Sequence, residues 1–362
     1  MLHSRPAFVG EIIFAAILAT LVVWMSGYSP VLFLSDAAAN FASPFKIVKR
    51  LSRPSNATDV AWSPDGLKLA TLSEYGTIVT IWDASDWQIV REFRRNSGGD
   101  GLNNLIWLPN GQILTRAPPN TGEQGRYSLN LWNVESGTLA KNIVGPTDEN
   151  SLKFNHAMKF AASKDGSTVA MTNARALRQV FLLDAQTWAV KATLTLNQIP
   201  TALSFGADNL LAVGATGGEL SLFDLTQNTL DWTINAFSPG TRNVLASAFS
   251  PDGAFLASAP AHGIACCALE SGPIRIWKTH MSEQVASLGS VKDDQSFPQV
   301  AWSPDGTLLA AASFSGAFYV WRVGTNQVPI FTAHFPLAAY ATSFSSNGML
   351  AVAQGDEVLI LK

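Results

Sequence analysis

Two adjacent cysteines and a nearby histidine are the residues most suited to chemistry in this sequence. His262 precedes Cys266 by four positions and Cys267 follows directly, so the group could hold a metal ion or form a strained disulfide. No second Cys/His pair stands at the spacing of a zinc site, and unreactive thiols are the simpler interpretation. The sequence also lacks the HExxH motif, the phosphate-binding loop and the GxSxG nucleophile turn. It therefore predicts no catalytic residue, no metal ligand and no cofactor.

Charge and composition exclude two classes of protein. The 362 residues include 24 Lys+Arg and 27 Asp+Glu, and 47% of them are hydrophobic. A disordered chain combines low hydrophobicity with high net charge, and this chain has neither. A net charge of −3 also disfavours nucleic-acid binding through bulk positive charge. We therefore expect a folded chain without a nucleic-acid partner.

Basic side chains provide a charge pattern that suggests a binding surface. They fall in the first five of seven predicted repeats, and a basic arc across repeats one to three could bind an acidic protein partner. An ordinary solvated surface would give the same pattern. The candidate residues for a partner-binding face are Arg94, Arg95, Arg116, Arg126, Lys153, Arg175, Arg178, Arg242 and His262.

One motif occurs seven times in the sequence and predicts the strands between which the candidate residues lie. VAWSPDGLKLA at 60–70 recurs as SAFSPDGAFLA at 247–257 and as VAWSPDGTLLA at 300–310, and four weaker copies complete the set. A second signature follows most copies and begins with IVTIWD, which ends at Asp83. Alternating apolar residues predict strands, and Ser-Pro-Asp-Gly predicts a type I turn between them. Each repeat of 42 to 55 residues therefore predicts four antiparallel strands.

These motifs make residues 45–362 resemble the WD-repeat β-propeller family. The Trp82-Asp83 pair at the end of its strand is the most typical element of that family. The resemblance implies a seven-bladed ring of four-stranded antiparallel blades that serves mainly as a platform for protein–protein contacts. The sequence departs from the family because the Gly-His dipeptide before the inner strand is missing from every repeat. In later repeats Trp-Asp becomes Leu-Asp, Phe-Asp, Trp-Lys and Trp-Arg.

The amino terminus predicts a membrane anchor at residues 1–34. Residues 12–34 carry no charged side chain, and a helix that crosses a bilayer needs about 20 apolar residues. Residues 8–34 are therefore expected to enter the membrane as a single-pass helix. A cleaved signal peptide is the main alternative, because the alanines at 37–39 offer a cleavage site. A buried soluble helix is the third interpretation.

The side of the membrane on which the propeller lies depends on opposing signals. Arg5 favours a cytoplasmic amino terminus. The reverse is favoured by the basic residues that follow the apolar tract, which are Lys46, Lys49, Arg50 and Arg53. Folded domains cross the membrane largely regardless of their charge, so we expect an extracytoplasmic propeller.

The expected domains are the anchor, a linker at 35–44 and an all-β propeller at 45–362. The seventh copy ends without a fourth strand, so residues 45–51 are expected to supply that strand and close the ring. The longer connections are expected on one face of the ring, where binding residues usually lie, although neutral drift in surface loops would also explain them.

The sequence favours a membrane-anchored, non-catalytic platform for an unidentified protein partner. One alternative is a quinoprotein-like or lactonase-like propeller enzyme with its site in the central channel. Small and apolar residues at the inner-strand starts, such as Val60, Leu105, Ala202 and Val300, disfavour that alternative. The other alternative is a subunit of an envelope assembly.

Overall fold

The computed structural model describes most of the chain after residue 43. The described ranges are 44–52, 57–74, 76–94, 105–117, 128–144, 159–172, 178–238, 242–261, 272–289, 296–324 and 328–362. The predicted anchor at 1–34 and all but the last residue of the predicted linker lie outside these ranges. Within them, no helix has the length and apolar character needed to cross a membrane.

The described residues form seven four-stranded antiparallel sheets. Their strands begin with β1 (Ile47–Ser52), β2 (Asp59–Trp62), β3 (Lys68–Ser73), β4 (Ile78–Asp83), β5 (Ile89–Arg94), β6 (Leu105–Trp107), β7 (Ile113–Ala117), β8 (Ser128–Asn133) and β9 (Thr138–Val144). They continue with β10 (Phe160–Ala162), β11 (Thr168–Thr172), β12 (Gln179–Asp184), β13 (Val190–Thr195), β14 (Pro200–Phe205), β15 (Leu210–Ala215), β16 (Glu219–Asp224) and β17 (Thr229–Asn235). The last strands are β18 (Asn243–Phe249), β19 (Phe255–Ala261), β20 (Ile274–Lys278), β21 (Gln284–Leu288), β22 (Gln299–Trp302), β23 (Leu308–Ala312), β24 (Ala317–Arg322), β25 (Phe331–His334), β26 (Ala339–Phe344), β27 (Leu350–Gln354) and β28 (Glu357–Leu361).

The sheets are the blades of a closed ring. Six blades take four consecutive strands each, from β2–β5 to β22–β25, and the seventh has the order β26-β27-β28-β1. The first strand of each blade is its inner strand, and β26 contacts β2 as well as β22. In the seventh blade Leu51 of β1 pairs with Val358 of β28, which joins the two ends of the described chain. The seven-bladed, all-β fold predicted from the repeats is confirmed.

The Ser-Pro-Asp-Gly turn is locked by its own side chains. Ser63 donates its hydroxyl hydrogen to Asp65 at 2.6 Å and accepts the backbone N–H of Lys68 at 2.8 Å. Gly66 has a φ of 72°, a conformation that suits glycine. The bond from Ser63 is the main reason that the pKa of Asp65 is lowered. The same serine-to-acceptor bond occurs at four further turns: Ser163–Asp165, Ser250–Asp252, Ser303–Asp305 and Ser345–Asn347.

A buried tryptophan fixes the third strand against the second in several blades. Its indole N–H donates to a hydroxyl in three blades: Trp82 to Thr71 at 3.0 Å, Trp132 to Thr115 at 3.0 Å, and Trp277 to Ser258 at 2.9 Å. The sixth blade differs. Trp321 pairs with Leu309, and the position two residues after Leu309, which carries the hydroxyl in the other three blades, is Ala311. The indole nitrogen of Trp321 is buried and has no hydrogen-bond partner in the described structure.

Further hydrogen bonds join neighbouring blades near the ring axis. The inner-strand indoles donate to backbone carbonyls of the preceding blade: Trp62 to Ser343, Trp107 to Ala61, and Trp302 to Ala248. Apolar clusters fill the space between blades, and one of them joins Trp321 of the sixth blade to Ile276 of the fifth. The ring is thus a rigid support whose connections are displayed on two opposite faces.

Candidate functional site

The antiparallel strands divide the connections between the two faces of the ring. Turns from inner to second strand and from third to outer strand lie on one face, called here the tight-turn face, with Asp86 and Asn110 among its exposed residues. The remaining connections lie on the other, called here the long-loop face, with Ser315 and Asp356 among its exposed residues. The connections at 95–104, 118–127, 145–158, 173–177, 239–241, 262–271 and 290–295 join strand ends on the long-loop face and lie outside the described residues.

The candidate basic residues that the structure describes are dispersed over separate blades. Arg94 ends β5 and forms an ion pair with Glu92 at 3.1 Å. Arg116 lies within β7 and is only 2% exposed, so it is a buried side chain rather than a surface one. Arg178 is exposed just before β12, and Arg242 is half-buried just before β18. The other candidates lie outside the described residues: Arg95, Arg126, Lys153, Arg175 and His262.

A cavity of about 350 Å³ opens where the inner strands begin. Its lining comes from the inner strands and the residues directly before them, so it is the long-loop end of the central channel. Polar side chains are among its lining residues: Thr58, Asp59, Lys159, Ser204, Ser247, Gln299 and Tyr340.

Asp59 is the most perturbed acid of the described chain. It is 6% exposed, and its two carboxylate oxygens accept the backbone N–H groups of Val60 at 2.9 Å and Leu105 at 2.7 Å. Burial raises the pKa of Asp59 to about 7, and the N–H of Leu105, the charge of Lys159 and the N–H of Val60 oppose that rise. The carboxyl group therefore changes its charge near neutral pH.

Lys159 supplies the opposite charge at the same end of the channel. It directly precedes β10, where its backbone N–H donates to the Thr172 hydroxyl at 2.9 Å. Burial lowers the pKa of Lys159, and the charge of Asp59 acts in the opposite direction. A carboxyl and an amine whose pKa values are both shifted by burial in one cavity mark a candidate functional site.

The expectation of small and apolar inner-strand starts was incomplete. It holds at Val60, Ala202 and Val300, which are buried or line the channel. It missed Asp59, Lys159 and Gln299, each of which stands seven residues before the glycine of its turn. Aligning the repeats on those glycines, rather than on the apolar run, would have revealed the polar position.

Gln299 shows what this position does when it carries no charge. Its side-chain oxygen accepts the backbone N–H of Thr342 in the next blade at 3.1 Å, just as Asp59 accepts that of Leu105. The shared role is a bridge between inner strands. The charge of Asp59 and its neighbour Lys159 are features that this role does not require. Among the described residues no three His, Cys, Asp or Glu side chains are grouped to hold a metal ion.

Residues 273–322 match one known protein family. The match is to the WD domain, G-beta repeat. The matched residues run from the third strand of the fifth blade through the third strand of the sixth, which spans one repeat length. Together with the seven four-stranded sheets, the match supports a WD-repeat propeller. No curated protein matches the chain.

Proposed function

We propose that this protein is a membrane-anchored WD-repeat propeller that acts as a non-catalytic platform for protein–protein contacts through its long-loop face. The observation that carries the proposal is the difference between the two faces. Five turns of the tight-turn face are closed by a serine-to-acceptor hydrogen bond within the turn. The connections of ten residues or more all leave from the opposite face, and long loops on a folded support are the usual place for recognition.

The anchor rests on the charge-free tract at 12–34, which is long enough to cross a bilayer. With the amino terminus in the cytoplasm, the propeller would lie on the extracytoplasmic side. Protease added to sealed cells or vesicles tests this directly. Digestion of the propeller from outside would support the orientation, and protection of the propeller until the membrane is opened would contradict it.

Photo-cross-linking from the two faces tests the platform. A photoreactive residue at Ser315 or Asp356 reports the long-loop face, and one at Asp86 or Asn110 reports the tight-turn face. We expect one protein to be linked from the long-loop positions and not from the others. Equal linking from both faces would contradict the proposal.

A propeller enzyme with its site in the central channel is the second candidate. The placement of Asp59 and Lys159 in the lining of one cavity of about 350 Å³ favours it, because burial shifts the pKa values of both groups. Mass spectrometry of the purified full chain under native conditions tests for a bound metal or organic cofactor. Turnover that is lost in Asp59→Asn and in Lys159→Gln would favour the enzyme over the platform. A subunit of an envelope assembly differs from the platform only in the identity of its partner.

A further inference from the structure

The outer strands of six blades carry a β-bulge at the tight-turn end. Each of these strands begins at that end, where it pairs with the last residues of the third strand of its blade. The pairing register then shifts by one residue, so one residue of the outer strand has no residue opposite it. The bulged residues, in chain order, are Val48, Val90, Ala140, Lys191, Asp231 and Val285.

The chemistry of the bulged residue changes around the ring. It is a valine in the fifth, seventh and first blades, where Val285 is 40% exposed, Val48 50% and Val90 39%. It is charged in the third and fourth blades, which have Lys191 and Asp231. The fifth, sixth, seventh and first blades follow one another in the ring, because their inner strands contact in that order. The apolar bulges therefore lie on one side of the ring and the charged bulges on the other.

The first blade extends this apolar side. Ile89, which directly precedes Val90, is 47% exposed and pairs with Trp82. In the turn before it, the half-buried Trp87 packs in the cluster that joins the seventh and first blades. We call Val48, Ile89, Val90 and Val285 the apolar margin. Single apolar side chains on a surface are ordinary, whereas several on one side of a molecule indicate a contact surface.

The described chain begins beside this margin. Lys46 and Lys362 exchange backbone hydrogen bonds of 2.9 and 3.0 Å at the tight-turn end of the seventh blade, two residues after Pro44. The charge-free tract at 12–34 is separated from Pro44 by nine residues, 35–43, which reach at most about 32 Å when fully extended. A bilayer entered by that tract would therefore lie close to the tight-turn end of the seventh blade.

We propose that the apolar margin rests in the interface of the lipid bilayer to which the chain is anchored. The inference rests on the proposed anchor and adds a second contact with the membrane, which turns the long-loop face away from it. Apolar side chains gain free energy when they leave water for the boundary between headgroups and acyl chains. Exposed charges of both signs border the margin, namely Lys46, Arg91, Asp86 and Glu135. The contact is therefore apolar, and zwitterionic phosphatidylcholine is sufficient for it.

Photo-cross-linking to lipid tests the contact in the full chain reconstituted into phosphatidylcholine vesicles. A photoreactive residue replaces Ile89 on the margin, and one at Leu230 in the fourth blade is the matched control. Leu230 is 54% exposed, directly precedes the bulge of its strand and pairs with Phe223 as Ile89 pairs with Trp82. Mass spectrometry of the adducts should show at least about fivefold more lipid linked from Ile89 than from Leu230, because the fourth blade lies on the other side of the ring.

Exchanging the bulged residues of two blades provides a second measurement. Val90→Asp gives the first blade the residue that the fourth blade has at Asp231, and Asp231→Val is the reverse change. Val90→Asp should reduce lipid linking from Ile89 by about threefold or more, since a carboxylate resists entry into the interface. Asp231→Val should leave that linking unchanged. Thermal melts should show that both variants remain folded, because both positions are exposed and unpaired in their strands.

Three results would overturn the margin. Equal linking of lipid from Ile89 and Leu230, or no linking from Ile89, in vesicles that retain the chain after alkaline washing would remove the contact and leave the anchor standing. Linking that disappears in about 1 M salt would show an electrostatic contact instead of an apolar one. A chain that washes out of the vesicles would remove the anchor and the margin together. None of these results alters the protein cross-links formed from Ser315 and Asp356, which test the platform.

Discussion

The carboxylate of Asp59 in the first blade accepts the backbone N–H of Leu105 in the second blade at 2.7 Å. This bond bridges two inner strands at the long-loop end of the channel, and the side-chain oxygen of Gln299 makes the equivalent bond to Thr342. A neutral amide therefore suffices for the bridge. The acid in the first blade introduces a charge whose burial is unfavourable, and its consequences can be measured.

The first prediction concerns the pH dependence of folding. The folded-state pKa of Asp59 is raised to about 7 from an ordinary value of 3.8. Between these two pH values Asp59 is protonated in the folded chain and ionised in the unfolded chain. The contribution of Asp59 to stability therefore falls as the pH rises from about 4 to about 7. Asp59→Asn removes this effect. Urea unfolding at pH 5 and pH 8 should show the variant gaining stability relative to the parent at the higher pH, by at most about 1.4 kcal/mol per pH unit.

Lys159→Gln provides the second arm of that experiment. Removing this charge should move the fall in stability to higher pH, because Lys159 helps to lower the pKa of Asp59. An unchanged difference between the parent and Asp59→Asn at both pH values would show that Asp59 does not titrate in this range.

The second prediction is a stabilising substitution in the sixth blade. Ala311→Ser places a hydroxyl at the position from which Thr71, Thr115 and Ser258 accept an indole N–H in other blades. The buried indole of Trp321 would gain an acceptor, and the free energy of unfolding should rise by about 1 kcal/mol. Ala310→Ser is the matched control. Its hydroxyl would be buried in a different apolar cluster and should destabilise the protein. Equal destabilisation by both substitutions would refute the role assigned to position 311.

The third prediction tests closure of the ring by β1. Leu51 is 3% exposed and packs in the cluster that joins the seventh and first blades. Leu51→Ala should reduce the free energy of unfolding by about 2–5 kcal/mol. Val48 on the same strand is 50% exposed, and Val48→Ala should cost less than about 0.5 kcal/mol. If the two substitutions had the same small effect, β1 would not be an integral strand of the seventh blade in solution.

The fourth prediction concerns the locked turns of the tight-turn face. Ser63→Ala removes the hydroxyl that bonds both Asp65 and the N–H of Lys68, and should cost about 1–2 kcal/mol. The pKa of Asp65 is lowered in the folded state. The part of this stability that comes from the ionised carboxylate of Asp65 is therefore present above the ordinary pKa of Asp65 and is lost as the pH falls below that value. The difference between parent and variant should therefore shrink in acid. Ser85→Ala, which removes an exposed bond to Asp83, is the control and should have a smaller effect in thermal melts at neutral pH.

The repeats made the fold predictable because each copy carries its own strand and turn chemistry. The Ser-Pro-Asp-Gly turns and the IxIWD strands recur in a fixed order, and the structure places each of them as the pattern requires. The site was less accessible to sequence reasoning. Asp59 of the first blade and Lys159 of the third line the same cavity only once the ring has formed.

The central claim is that the long-loop face is the surface that engages a protein partner. Photo-cross-linking in intact cells measures this most directly, with the reactive group at Ser315 or Asp356 on that face and at Asp86 or Asn110 on the opposite one. The account predicts that one and the same protein is linked from both long-loop positions and from neither tight-turn position. Equal linking of that protein from both faces, or links from the tight-turn positions alone, would contradict it.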